Sequence, residues 1–195
     1  MSESVHPYVA IARGAIAAEL GLRTHVPPMV DDIDLHRRGS SFVRLSIDGQ
    51  LRGSLGTVRP FRSLAADIAE NAVNSAFHDP RFAPITRDEF ERIAIEVAIV
   101  TNIEPLTVHS QLELFDHLRP NIDGLLLERG SKHASFMPTA WRTAPTKAAF
   151  VSGLLRKAGR PGNFWADDIR ATRFQTRIYG DPIRPAKELV GSVAN

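Results

Sequence analysis

The 195-residue sequence contains no cysteine. This absence excludes disulfides, iron–sulfur clusters, cysteine-ligated zinc and thiolate catalysis within the chain. The sequence also lacks an uncharged apolar run of the roughly 18 residues that a membrane helix needs, because charged residues interrupt every hydrophobic stretch. The first residues, MSESVHPYVA, lack the basic start and apolar stretch of a secretory signal. We therefore expect a cytoplasmic protein with no membrane partner.

Positively and negatively charged residues nearly balance each other, and the formal net charge is only +2. A value this small does not imply a polyanionic partner. The 24 basic residues are mostly arginine, which we attribute first to genome composition and second to phosphate recognition. Arg170, Arg173 and Arg177 form a basic strip, but no aromatic stacking platform accompanies them. We therefore expect a solvated face there and no nucleic acid.

The length suits one large domain, or two lobes sharing a core, better than two independent domains. Hydrophobic residues make up 43% of the chain, which is ordinary for a globular protein with a core of its own. We predict a single domain with two interleaved lobes over residues 1–184 and a C-terminal tail over 185–195.

Hydrophobic periodicity predicts a mixture of helices and hairpins. The helices are predicted over 7–20, 61–77 and 146–158, with capping boxes at 86–89 and 110–113 opening two short ones. The strands are predicted over 43–47, 51–58, 93–99, 125–128, 133–136 and 172–178. The Asp48-Gly49 turn closes the first hairpin, and a proline-containing loop covers 24–32. Hairpins outnumber strand–helix alternations, which favours an α+β fold of antiparallel hairpins packed with helices.

The strand that returns from this turn contains LRGSLG, residues 51–56. Alternation places Arg52, Ser54 and Gly56 on one face and the leucines on the other. If the leucines point to the core, Arg52 and Ser54 face outward together. Gly53 and Gly56 weaken a strand, so they predict a bulge or a backbone that another group approaches closely. This geometry fits a pocket floor and a junction of two packed lobes equally well.

The sequence resembles the AMMECR family in five ordered blocks, LRGSLG, AENAVNSAFHDPRFAPIT, IEVAIVTNIEPL, DGLLLERGSKHASFMP and LLRKAG…NFW. The family is named for the Alport syndrome, midface hypoplasia and elliptocytosis chromosomal region, and its bacterial members are labelled AmmeMemoRadiSam system protein A. The resemblance runs from about Tyr8 to about Gly180. It implies two unequal lobes with the hexapeptide near a cleft between them. It also implies association with a Memo-like protein and a radical S-adenosylmethionine enzyme, and we predict no cofactor.

The family hexapeptide normally reads leucine-arginine-glycine-cysteine-isoleucine-glycine, so Ser54 stands where relatives carry cysteine. A thiol with a pKa near ~8.5 is easily activated, whereas a serine hydroxyl needs a well-placed base. If the family cysteine is a nucleophile or redox group, this protein is impaired or altered. If it only lines a cleft, serine replaces it without loss. Ser54 is the catalytic candidate, but its glycine spacing does not match a nucleophile elbow.

The ligand-binding candidates are Arg52, Gly53, Ser54, Gly56, Asp79 and Arg81. Arginine forks suit the carboxylate or phosphate of a small anionic ligand. For Arg81 we favour a rigid turn in which it pairs with Asp79 or a backbone carbonyl, and the ligand role is the alternative. For Arg52 the alternative is a brace on Asp79 or on a lobe interface, and we expect the ligand role.

Other polar residues receive structural interpretations. Glu70 and Asn71 are predicted on an exposed helix face. His109, Glu113 and His117 recur every fourth residue, but three ligands spread over two helical turns cannot meet one ion, so we predict no metal site. The leading function is a ligand- or partner-binding component of the AmmeMemoRadiSam system. The alternative is an enzyme of unknown reaction with Arg52 and Ser54 in its cleft.

Overall fold

The computed structural model describes residues 5–22 and 33–180. The predicted loop over 24–32 and the predicted tail over 185–195 lie outside the described residues. The chain divides into two compact units: Val100–Arg177 forms unit 2, and the described residues on either side form unit 1. Each unit combines antiparallel strands with helices, which confirms the α+β class. The cleft stays a prediction.

The elements of unit 1 are α1 (Pro7–Glu19), α2 (Ile33–His36), β1 (Arg38–Gly39), β2 (Ser41–Ile47), β3 (Gln50–Gly56), β4 (Arg62–Ser63), α3 (Leu64–Val73), a π-helical turn (Asn74–His78) and α4 (Arg87–Phe90). β5 (Ala94–Leu106) begins in unit 1 and ends in unit 2. The elements of unit 2 are α5 (Gln111–His117), β6 (Gly124–Arg129), β7 (Lys132–Phe136), a 3-10 turn (Pro138–Arg142) and α6 (Lys147–Lys157). β8 (Arg170–Gly180) begins in unit 2 and ends in unit 1.

The sheet of unit 1 places β2 between β3 and β5, with both pairs antiparallel. Leu45 pairs with Gly53, but the next residue of β2, Ser46, pairs with Leu51. Arg52 is therefore the extra residue of a β-bulge, a feature that re-aims side chains at functional edges. The bulge expected from the glycines is confirmed.

The core of unit 1 lies between this sheet and the helices α1 and α3. α1 begins at Pro7, whose missing N–H costs nothing in a first turn, and Gly21 adopts a φ of +67° just beyond its end. Ile16, Ile68 and Leu45 are completely buried, one from α1, one from α3 and one from β2. The hydrophobic effect of these side chains holds the three elements together.

The core of unit 2 centres on an aromatic stack. β6 lies between β7 and β8. The rings of Trp141 and Phe150 are parallel within 9° and their centroids are 3.9 Å apart. The indole N–H of Trp141 donates to the carbonyl of Asp123 at 2.7 Å, which satisfies the one polar atom of the stack.

No helix in the described ranges combines the length and the apolar character needed to cross a membrane.

Several predicted boundaries are corrected. The helix predicted over 61–77 begins only at Leu64, because the preceding Ser63 accepts a capping hydrogen bond from Ala66 N–H. The strand predicted over 51–58 ends at Gly56, whereas β5 and β8 run beyond the predicted 93–99 and 172–178. The leucine face of β3 is only half-buried, because the bulge interrupts strict alternation.

We expect Gly53→Ala to lower the free energy of unfolding by about 1–3 kcal/mol or more, because a Cβ there would collide with the carbonyl oxygen of Ser75. Gly14 in α1 is the matched control, since a Cβ there meets no atom within 4 Å. Gly14→Ala should stabilise by roughly 0.5–1 kcal/mol. Urea unfolding measures both. Equal stability of Gly53→Ala and the wild type would contradict the close approach.

Candidate functional site

The hexapeptide strand is anchored to the π-helical turn by the side chain of Ser75. Its hydroxyl accepts a hydrogen bond from Leu55 N–H and donates one to the Val43 carbonyl, each at 2.8 Å. Val43 and Leu55 are register partners on neighbouring strands. A buried hydroxyl therefore bridges two strands from the helix side, and the backbone of Gly53 lies directly against the Ser75 carbonyl.

Asp79, the residue that follows the π-helical turn, binds the strand at Ser54. Its carboxylate accepts from Ser54 N–H at 2.9 Å, and from Arg81 Nε at 2.9 Å and Nη2 at 2.6 Å. The side chain is only 1% exposed. The hydrogen bonds from the Arg81 side chain outweigh the effect of burial and lower the pKa of Asp79 to about 2. The carboxylate is therefore ionised at neutral pH and clamps the strand.

Arg52 binds a different carboxylate. Its Nε and Nη2 donate to the two oxygens of Glu89 at 2.8 and 3.0 Å. Glu89 also accepts from the N–H of Thr86, in the capping box that opens α4. The side-chain hydrogen bonds from Arg52 are the largest cause of the lowered pKa of Glu89. The bidentate pair joins the bulge of β3 to the start of α4.

The two arginines converge on one aromatic ring. The guanidinium carbons of Arg52 and Arg81 lie 5.8 and 5.4 Å from the centroid of Phe82. Arg81 also donates to the Ser54 carbonyl at 3.2 Å, and about half of its side chain is exposed. Ser54 is half-buried. Among the described residues, none forms a hydrogen bond with its hydroxyl.

A second buried polar cluster lies where β2 begins. Asp67, with no exposed surface, accepts from Ser41 N–H and hydroxyl at 2.7 and 2.8 Å, from Asn71 at 2.8 Å and from Thr57 at 2.9 Å. Burial raises the pKa of Asp67, and the hydrogen bonds from Ser41 oppose that rise. Asn71 is 4% exposed, so its predicted exposed position is wrong. Its amide side chain is turned toward β2 and completes the cluster.

Comparison with known proteins gives concordant results. Residues 9–179 match the AMMECR1 family. This chain belongs to that family. A relative from Methanothermobacter thermautotrophicus is 34% identical over 88% of the chain and 91% of its own length, and one from Thermotoga maritima is 32% identical over 89% of the chain and 97% of its own length. The crystal structure of an uncharacterized protein from Pyrococcus horikoshii superposes with a TM-score of 0.77, 26% identity and 88% coverage of each chain.

The structure brings most of the predicted AMMECR1 site residues together. Ser54, Asp79 and Arg81 are in direct contact, and Arg52 reaches the same ring as Arg81. Gly53 is approached by the Ser75 backbone and Gly56 by Phe42. No group of three or more metal-ligating side chains occurs within residues 5–22 and 33–180.

Sequence reasoning missed three participants: Ser75, Phe82 and Glu89. Phe82 follows the Asp79–Arg81 turn, and Glu89 closes the predicted capping box, so both lay beside recognised signals. The capping glutamate also accepts hydrogen bonds from an arginine 37 positions earlier in the chain. A contact between such distant residues produces no recognisable local pattern in the sequence. Ser75 lay within a quoted family block but carried no signal of its own, since a serine within a helical stretch is usually a surface residue.

We expect the stabilisation supplied by Asp79 to depend on pH. Its pKa falls from 3.8 when unperturbed to about 2 in the folded chain. The contribution is therefore complete above about pH 4–5 and is lost as the pH falls toward 2, with a size of roughly 2 kcal/mol. The difference in unfolding free energy between the wild type and Asp79→Asn should therefore become smaller as the pH is lowered toward 2. A difference that stays constant from pH 7 to 2 would argue against the ionised clamp.

We expect Arg52→Lys to lower the free energy of unfolding by about 1–3 kcal/mol, because lysine keeps the charge but not the fork held by Glu89. The pairing with Glu89 therefore leads us to expect the bracing outcome. Arg92→Lys is the matched control, since Arg92 pairs with Asp48 at an exposed position. Thermal melts should show little change for the control. An unchanged melt with weakened anion binding would favour the ligand role.

Proposed function

We propose that this AMMECR1 protein is a binding component, which recognises a ligand or partner at the hexapeptide surface of unit 1. The proposal rests on one observation: the charged groups around Ser54 are already paired with one another. Asp79 holds the Ser54 N–H and Arg81, and Glu89 holds Arg52. A nucleophilic serine needs a base within about 2.6–3.2 Å, and no described residue hydrogen-bonds the Ser54 hydroxyl. Binding does not require the family cysteine, whereas thiolate chemistry does.

The recognising groups are those that remain accessible at this surface. Arg81 is half-exposed and lies against the Ser54 carbonyl. Its guanidinium suits a carboxylate of a partner or a small anionic ligand. Arg52, Gly53, Gly56 and Asp79 support the surface from beneath, since their contacts are internal.

The family resemblance supports a place in the AmmeMemoRadiSam system. The proposed partners are a Memo-like protein and a radical S-adenosylmethionine enzyme, in the cytoplasm. The second candidate is an enzyme of unknown reaction that uses Ser54 and Arg52. The half-buried Ser54 beside the Arg81 guanidinium is the observation in its favour.

Calorimetric titration with the Memo-like protein of the same genome tests the proposal. Ser54→Ala and Ser54→Cys should change the binding free energy by no more than about 0.5 kcal/mol. Arg81→Ala should weaken binding about tenfold or more, as loss of a charge-assisted contact does. Arg92→Ala is the control, because Arg92 has similar exposure and lies in a surface pair.

Two results would overturn the proposal. One is binding that Arg81→Ala leaves unchanged. The other is a catalytic turnover that Ser54→Ala abolishes at an unchanged melting temperature, which would establish covalent catalysis. Arg81→Ala leaves a buried carboxylate without its cation, so the melting temperature of each variant is measured as well. Arg81→Lys returns the positive charge and should restore the stability more fully than the binding affinity.

A further inference from the structure

Unit 2 contains a recess beside the β6–β7 turn and the C-terminal end of α6. Its floor is apolar, formed by Leu127, Leu155, Ala158 and Ile169. Leu127 and Leu155 are almost completely buried. The space that the recess encloses is only about 20 Å³, and the rest is open to solvent, so a ligand here would lie in a shallow surface depression.

Three cations stand around this floor: Arg129, Lys132 and Arg160. The guanidinium carbons of Arg129 and Arg160 lie 5.3 and 5.1 Å from the centroid of the Phe164 ring. Cation–π attraction to one ring therefore gathers two guanidinium groups that would otherwise repel each other. Arg129 and Lys132 are register partners across the hairpin. Among the described residues, none accepts a hydrogen bond from the Lys132 ammonium.

Two carboxylates partly balance these cations. Asp168 accepts a hydrogen bond from Arg129 Nε at 2.5 Å, and Glu128 lines the recess. Three positive and two negative side chains leave an excess of one positive charge. The Arg129–Asp168 pair is open to solvent, with side-chain exposures of 36% and 64%. Exposed pairs of this kind are weak, so an incoming anion can compete with Asp168 for Arg129.

We propose that this recess binds a small organic phosphate monoester. The phosphate contacts Arg160, Lys132 and the remaining donors of Arg129, and the attached apolar group covers Ala158 and Phe164, the partly exposed apolar residues of the recess. Arginine forks match phosphate oxygens in pairs, and lysine adds a compact charge. A phosphate dianion uses all three cations, whereas a monoanionic carboxylate offers half the charge. The site lies within unit 2 and does not depend on the function proposed for unit 1.

An NMR titration of the ¹⁵N-labelled full chain with phenyl phosphate tests the proposal. Inorganic phosphate, phenol and benzoate are the comparison ligands. We expect shifts at residues 127–132 and 155–169, with phenyl phosphate binding at least about tenfold tighter than each comparison ligand. Equal affinity for inorganic phosphate would remove the role of the apolar floor. Equal or tighter binding of benzoate would overturn the assignment to phosphate.

Two variants should change the affinity for phenyl phosphate in opposite directions, which makes this test more specific. Arg160→Ala should weaken phenyl phosphate binding about tenfold or more. Asp168→Asn should strengthen it roughly two- to fivefold, because the competing carboxylate loses its charge. Arg142→Ala, an exposed arginine of unit 2 outside the recess, and Arg81→Ala should leave it unchanged. Absence of shifts at millimolar ligand, or affinity insensitive to Arg160→Ala and Asp168→Asn, would overturn the proposal.

Discussion

The backbone of Gly53 lies so close to the carbonyl oxygen of Ser75 that only a hydrogen atom fits on the Gly53 α-carbon. This approach brings the Ser75 hydroxyl within hydrogen-bonding distance of Leu55 and Val43 on two strands. It also places Asp79, where the chain leaves the π-helical turn, at the N–H of Ser54. π-Helical turns are rare and often occur at functional sites, and here the turn carries the residues that hold the hexapeptide.

Two buried aspartates of unit 1 show how the partners of a carboxylate set the direction of its pKa shift. Asp79 receives the fork of an arginine, and its pKa falls. Asp67 receives hydroxyl, amide and backbone N–H groups, and Arg62 Nε lies 3.7 Å from its carboxylate, but burial raises its pKa despite them. The first carboxylate is an ionic clamp on β3, whereas the second organises the neutral groups that join α3 to β2. Desolvation acts on both carboxylates. The side-chain hydrogen bonds from Arg81 overcome it at Asp79, whereas the more distant Arg62 does not overcome it at Asp67.

The arginine-rich composition serves two different physical purposes. In unit 1, Arg52 and Arg81 are held by carboxylates of the same unit, so most of their hydrogen-bonding capacity is internal. In unit 2, Arg129 also pairs with a carboxylate, that of Asp168, but the pair is open to solvent, and Arg160 is oriented by the Phe164 ring. A ring orients a guanidinium without neutralising it. The second arrangement therefore leaves more positive charge for an external anion than the first.

The sequence by itself determined the local features of this protein. Asp48-Gly49 closed the first hairpin, Pro7 and Gly21 bounded α1, and the turn after Asp79 paired that residue with Arg81. Each depends on residues within a few positions of one another, where steric and hydrogen-bonding preferences act directly. The antiparallel α+β class followed from counting such hairpins.

Only the tertiary structure decided which distant groups meet. Arg52 is separated from Glu89 by 37 positions, and Asn71 from Ser41 by 30. Whether Arg52 reaches a ligand or a carboxylate depends on a one-residue bulge, and whether Asn71 is exposed depends on the rotation of α3 against β2. The hydrophobic periodicity of a helix specifies its buried face only within a broad sector. A polar residue at the edge of that sector is buried or exposed according to the partner that the opposite strand presents.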